Sequence, residues 1–298
     1  MELFNNEDSS TKKYVPDNNI KGFFPRSELN DWTPLWEKLA FFLIGFLGLK
    51  LYSLIVQYII LATPLVSIKD GVVSVSNLAY ALINFFTYFL LIITFVLFIF
   101  LDRRKTYQRI FNELKQPKTY LWALVAFGMV IALQNILSLS FSALFPFYGS
   151  NANQNSIETI FAASPVLIFI MTVFFAPFCE ELTYRIGLVD TVGHKYNLRW
   201  LGIAISALVF GLIHADIINS FRDLANGIAS GLGDAEITNL KNNLYNELLN
   251  LPVYMFSGFA LGFVYAKSGK ITSSMMGHMG VNLFSMVVTI IQMASKNA

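Results

Sequence analysis

The chain has 298 residues, of which 55% are hydrophobic and only 13% charged, with 28 Phe and a mean hydropathy of +0.56. This composition excludes an ordinary soluble domain and points to an all-α protein, a polytopic transmembrane helix bundle. The formal net charge is +2 and the basic residues are spread over short loops, so no nucleic-acid partner is expected. The single cysteine, Cys179, excludes an intramolecular disulfide framework and a Cys-rich metal site.

In chain order, residues 1–35 are polar and contain Pro16, Pro25 and Pro34, without the basic-then-apolar layout of a cleavable signal. They read as a polar cytoplasmic segment, with the first span as an uncleaved signal anchor. About seven apolar runs follow, near 37–63, 79–101, 120–145, 164–190, 200–221, 251–266 and 271–293. The connection after the second run carries Arg103, Arg104, Lys105, Arg109, Lys115 and Lys118, which places it in the cytoplasm by the positive-inside rule. Alternation then makes the turns with Lys195 and Arg199, and with Lys267 and Lys270, cytoplasmic as well, and both are basic. The remaining connections, 64–78, 146–158 and 222–250, are poor in Lys and Arg and fall outside. The expected topology is a multi-pass protein of a cell membrane, N-terminus in and C-terminus out, with a composition suggestive of a bacterium. Within 222–250, Leu224, Ile228 and Leu232, then Leu240, Leu244 and Leu248, recur at helical spacing. Two short amphipathic helices are expected there.

Ionisable residues inside hydrocarbon are costly and usually functional. Glu180 and Glu181 lie in the fourth run, Phe174-Phe-Ala-Pro-Phe-Cys-Glu-Glu-Leu-Thr-Tyr-Arg185, His214 in the fifth, and His278 with Asn282 in the seventh. At about 1.5 Å of rise per residue, Glu180, His214, His278 and Asn282 reach similar depth. They should form one buried layer, open toward the cytoplasmic half. Glu181 and Arg185 are four residues apart, so the Arg can hold one carboxylate ionised and leave Glu180 free for chemistry. Phe210 and His214, and His278 and Asn282, share helix faces by the same spacing. Gly258, Gly262, Gly277 and Gly280 would let helices approach closely around them. Cys179 reads as a packing residue, His194 as a solvated residue of a cytoplasmic turn.

Glu-Glu-x-x-x-Arg at 180–185, Phe-x-x-x-His at 210–214 and His-x-x-x-Asn at 278–282 resemble the three motifs of the CAAX-protease and bacteriocin-processing family, also called the Abi family of intramembrane proteases. Ala176-Pro177 and the run Gly258-Phe-Ala-Leu-Gly262-Phe-Val-Tyr265 resemble the family's surroundings of those motifs. The resemblance covers about 164–290 and divides the chain into 1–35, membrane spans at 36–150 and a catalytic membrane core at 151–298. It implies an endopeptidase acting on a membrane-associated peptide or protein, in maturation, in bacteriocin or pheromone processing, or in self-immunity. Glu180 with His214 would activate a water, and His278 with Asn282 would bind the oxyanion. Glu181 and Arg185 would be a structural ion pair and Phe210 a packing residue. No cofactor is needed for this chemistry. The alternative is Zn²⁺ held by Glu180, His214 and His278, against which stand the absence of His-Glu-x-x-His spacing and the nearby Arg185. Two other classes use the same residues: a catalytically silent immunity or scaffold protein, and a proton-coupled transporter, for which the inverted repeats are missing. The sequence fixes no oligomeric state.

Overall fold

A computed structural model describes Phe24 and residues 35–69, 72–102, 105–193 and 198–296. The rest of the N-terminal segment and the turn with His194 and Lys195 lie outside the described residues.

The apolar runs fold as long helices because a bilayer offers no partner for unpaired backbone groups. The first is α1, Leu35–Leu61. A short antiparallel hairpin follows, β1 (Val66–Lys69) and β2 (Val72–Val75), with Val66 opposite Val75 and Ser67 opposite Ser74. Helix α2, Asn77–Leu101, starts at Ser76, whose hydroxyl accepts the Ala79 N–H. A short helix α3, Thr106–Leu114, leads to α4, Pro117–Leu144, which opens on a proline where the missing N–H is harmless. Then come α5, Ala152–Ala163, and α6, Pro165–Val192. Helix α7, Arg199–His214, meets α8, Ile217–Ala229, at a bend of 43°. Helices α9, Asp234–Ser268, and α10, Ile271–Lys296, complete the bundle. Among the described residues six helices are long and apolar enough to span, or seven if the bent pair α7–α8 counts as one. The protein is a multi-span helical bundle, as its composition demands.

Three details differ from the sequence-based expectation. The fifth run does not continue to 221 but ends at His214, where α8 turns away. Of the two short helices expected in 222–250, the first is α8; the second is the start of α9, a single helix of 35 residues that runs on through Pro252 into the sixth span. At about 1.5 Å per residue α9 is roughly 50 Å long, well beyond a ~30 Å hydrocarbon core, so its first turns stand outside it. The connections at 64–78 and 146–158 hold the hairpin and α5.

Helix α6 is the axis of the bundle. Of its most apolar stretch 61% is buried inside the protein, against 17%, 22% and 11% for α1, α2 and α4, whose apolar side chains face outward to lipid. Glycine permits the close approach of α1: a Cβ on Gly187 would lie 2.7 Å from the Phe42 backbone N, and one on Gly45 1.8 Å from Thr183 Oγ1. Around the predicted layer, a Cβ on Gly258 would meet Phe210 of α7 at 3.0 Å, and one on Gly277 would meet Ala126 of α4 at 2.5 Å. Between its α-helical turns α6 widens into π-helix at Met171–Phe175 and Leu182–Val189, on either side of the two acids. Such π stretches recur at functional sites in helices.

Candidate active site

Two adjacent glutamates have opposite surroundings because α6 points them about 100° apart. Glu181 is fully buried and saturated with donors. Arg185 grips it with two bonds, Nε to Oε2 at 2.7 Å and Nη2 to Oε1 at 3.0 Å. Ser274 Oγ also donates to Oε2, and His278 Nδ1 lies 3.0 Å from Oε1. Arg185 is completed by Ser206 Oγ at 2.9 Å. A buried charge pair is stable only when its remaining polar atoms are satisfied, and this one is. Glu181 therefore acts as a fixed anion that orients His278.

Glu180 is held by one oxygen and free at the other. Tyr88 Oη, from α2, donates to Oε1 at 3.1 Å. Oε2 lies 3.9 Å from His214 Nε2 and 3.9 Å from His278 Nε2. Each ring has its other nitrogen committed. His214 Nδ1 is 2.8 Å from the Phe210 carbonyl, which can only accept, so Nδ1 carries the proton. His278 Nδ1 donates in the same way to Glu181. Both Nε2 atoms thus turn toward Glu180. Ring contacts fix the planes as well: His214 stacks on Phe210 at 4.3 Å and on Tyr254 at 5.0 Å, while Phe210 meets His278 edge-on at 5.9 Å. Phe210 therefore packs between the two histidines.

Asn282 has a structural duty that follows from Pro177. In the π turn each N–H bonds five residues back, as Ala176 N–H does to the Met171 carbonyl. The next carbonyl, Thr172, would receive the N–H of residue 177, but proline has none. Asn282 Nδ2 fills the vacancy, donating to Thr172 O at 2.8 Å. One of its two amide protons is thereby used and the other remains.

Glu180, His214, His278 and Asn282 all line one cavity of about 510 Å³. Its direction corrects an expectation. The layer was to open toward the cytoplasmic half, yet the walls are formed by the first turns of α2 (Tyr80, Asn84), by α5 (Asn153, Gln154) and by Thr289 of α10, all on the hairpin side. The other side is sealed by polar contacts, among them Tyr265 Oη to Asp190 at 2.7 Å, Arg199 to Asp190 at 3.6 Å and the Thr272 N–H to Glu113 at 2.9 Å.

The same donors do not fit a tetrahedral metal site as placed. Two bonds of about 2.0–2.1 Å span 3.9 Å only at an angle near 140°, far from about 109°. Among the described residues no three His, Cys, Asp or Glu side chains are grouped to hold a metal ion. A water oxygen about 2.8 Å from each atom bridges 3.9 Å at close to a right angle, a common hydrogen-bond geometry.

Sequence reasoning missed Tyr88, Ser206, Ser274 and Tyr254. None stands in a motif with the acids, and each reaches the site from a separate helix, so only packing reveals it.

A free carboxylate faced by two oriented histidines, inside a helical bundle, defines a class of membrane-embedded protein that comparison makes specific. Residues 162–284 match the family described as type II CAAX prenyl endopeptidase Rce1-like. The matched stretch, which holds all three motifs, is similar to that family. Relatives include the candidate membrane peptidase YdiL of Bacillus subtilis, 23% identical over 168 residues, 56% of this chain and 55% of that one. An uncharacterised protein of Mycoplasma capricolum is 28% identical over 195 residues, 61% and 47% of the two chains. The membrane-embedded CAAX protease MroQ of Staphylococcus aureus is 25% identical over 111 residues, 35% and 44%. The chain spans about half the length of the curated relatives it matches. No solved structure matches it at a comparable level of significance.

Proposed function

We propose that the chain is an intramembrane endopeptidase that hydrolyses a peptide bond in a membrane-associated peptide or protein, using a water activated by Glu180 and His214. The observation that carries this reading is the placement of Glu180 Oε2 3.9 Å from the Nε2 atoms of both His214 and His278. A water seated among the three atoms gives a proton to Glu180 as its oxygen bonds to the substrate carbonyl carbon. His214, with its tautomer set by the Phe210 carbonyl, holds that water by Nε2. The oxyanion forms beside His278, whose ring is oriented by the Glu181 carboxylate, and accepts from the remaining N–H of Asn282. The C–N bond then breaks as the proton on Glu180 passes to the departing nitrogen. Tyr88 keeps Oε1 occupied so that the proton is handled by Oε2. No step requires a metal.

The test compares purified wild type with Glu180→Gln on membrane-anchored peptides, with and without EDTA. Wild type should cleave regardless of chelator and the variant should lose cleavage by three orders of magnitude or more. Equal cleavage by both proteins would overturn the reading. Loss of wild-type cleavage in EDTA, restored by Zn²⁺, would replace the water mechanism with the zinc one.

A further inference from the structure

We infer that substrate reaches Glu180 from the extracytoplasmic side, as an uncharged, extended stretch of polypeptide in which the scissile bond is internal. This deepens the proposed function and rests on it for the chemistry, though not for the direction of access.

The direction comes from two independent observations. The first is the shape of the cavity. Measured from the helix ends that meet the basic connections, at about 1.5 Å per residue, the floor at Leu261 and His278 lies about 10 Å up and Glu180 about 18 Å. The walls continue to about 27 Å at Thr289 and 32 Å at Tyr80. The cavity is therefore a well whose mouth is on the hairpin side. Below its floor the bundle is shut by Ile186, Val189, Ile203 and Ile271, all buried, and by the Asp190, Arg199 and Tyr265 contacts.

The second observation is charge. Arg103, Arg104, Lys105, Arg109, Lys115, Lys118, Lys267 and Lys270 all belong to connections on the sealed side. On the mouth side the hairpin contributes Lys69, the connection 145–151 neither Lys nor Arg, and the segment 222–250 Arg222 and Lys241 against Asp223, Asp234, Glu236 and Glu247. A cluster of basic residues in short connections marks the cytoplasmic face. The mouth consequently faces outward.

The chemistry of the well narrows the substrate. Beyond Glu180 and the two histidines its lining carries no ionisable acid and no Lys or Arg; the polar groups are amides and hydroxyls such as Asn84, Gln134, Asn153, Thr159, Ser285 and Thr289. Neutral donors and acceptors of this kind match the peptide groups of an extended chain. A free terminal carboxylate would be desolvated with no cation to meet it. The well accordingly suits a bond inside a chain, in a segment that an exported peptide or membrane protein presents at the outer surface.

Sidedness can be read without any cleavage. In a Cys179→Ala background, Ser156→Cys or Thr159→Cys places one exposed thiol at the mouth, and Lys118→Cys places one on the sealed side. A membrane-impermeant maleimide applied to intact cells should label either mouth cysteine and should label Lys118→Cys only after permeabilisation. The reverse pattern, or equal labelling of both sides in intact cells, overturns the inference whether or not the protein is a protease. On the substrate side, an anchored peptide carrying its cleavable segment outside should be cut, and the same segment placed inside should not. Cutting of the inside form alone also overturns it.

Discussion

The division of labour between neighbouring acids rests on single hydrogen bonds. Glu181 is held by Arg185, Ser274 and His278, so it cannot serve as a base without breaking a buried charge network. Glu180 has Tyr88 on one oxygen and open space at the other. Tyr88→Phe removes that donor while keeping the ring. A hydrogen bond to a charged group is worth about 1.5–3 kcal/mol, so kcat should fall roughly tenfold or more while KM changes little. Steady-state kinetics on a peptide cleaved by wild type would measure this, and an unchanged kcat would reduce Tyr88 to packing. At this scale much of the site is legible in the sequence, since Glu180, His214 and His278 do converge. What spacing cannot show is which glutamate is free. That depends on Ser274 and Tyr88, which come from helices far away in sequence.

Among the elements, α9 is the organiser. Its Glu247 is buried and bonds two backbone groups from different segments, the Ala152 N–H at the start of α5 at 2.8 Å and the Asp216 N–H at the start of α8 at 2.9 Å. A carboxylate suits both places because helix starts present unpaired N–H groups and positive dipole ends. Asn246 adds bonds to Gly149 N and Ser150 O in the connection before α5. Asp216 lies two residues beyond His214, so Glu247 fixes the bend that places His214 at the end of its helix. Glu247→Ala should lower stability by about 2–4 kcal/mol, read as a drop of several degrees in Tm, since it strips acceptors from two buried donors. Thermal unfolding in detergent would check it, and an unchanged Tm would show that water replaces the carboxylate. The apolar repeats in 222–250 do signal helix, but they do not show that the second repeat joins the next span, because Pro252 looks like a terminator and in this helix is accommodated within it. The hairpin had a legible signal, Asp70-Gly71 between Val-Ser-Ile and Val-Ser-Val, a turn dipeptide flanked by β-branched residues. Hydropathy alone treats that stretch as loop.

At the scale of the whole molecule, the lipid-facing helices α1, α2 and α4 enclose a polar well around the buried α6. The number of spans and the basic face follow from composition, because the bilayer dictates both. The direction of the well does not, because it is set by which helix ends splay and which are tied by Glu113, Asp190 and Arg109. If the well is the route to Glu180, filling it should impair turnover without loosening the bundle. Ser285→Trp, at an exposed position of the wall, should leave Tm within a degree or two and reduce cleavage at least tenfold, mostly through KM. Equal cleavage by this variant and wild type would place the route elsewhere. The contact between Asn282 and the carbonyl freed by Pro177 has a further consequence for such an enzyme. Both partners are neutral, and their bond does not depend on the charge of Glu180, Glu181 or either histidine. In the proposed reaction helix α10 would thus stay seated on α6 while protons come and go beside it, so that the atoms carrying mechanical continuity would be separate from those carrying the proton traffic.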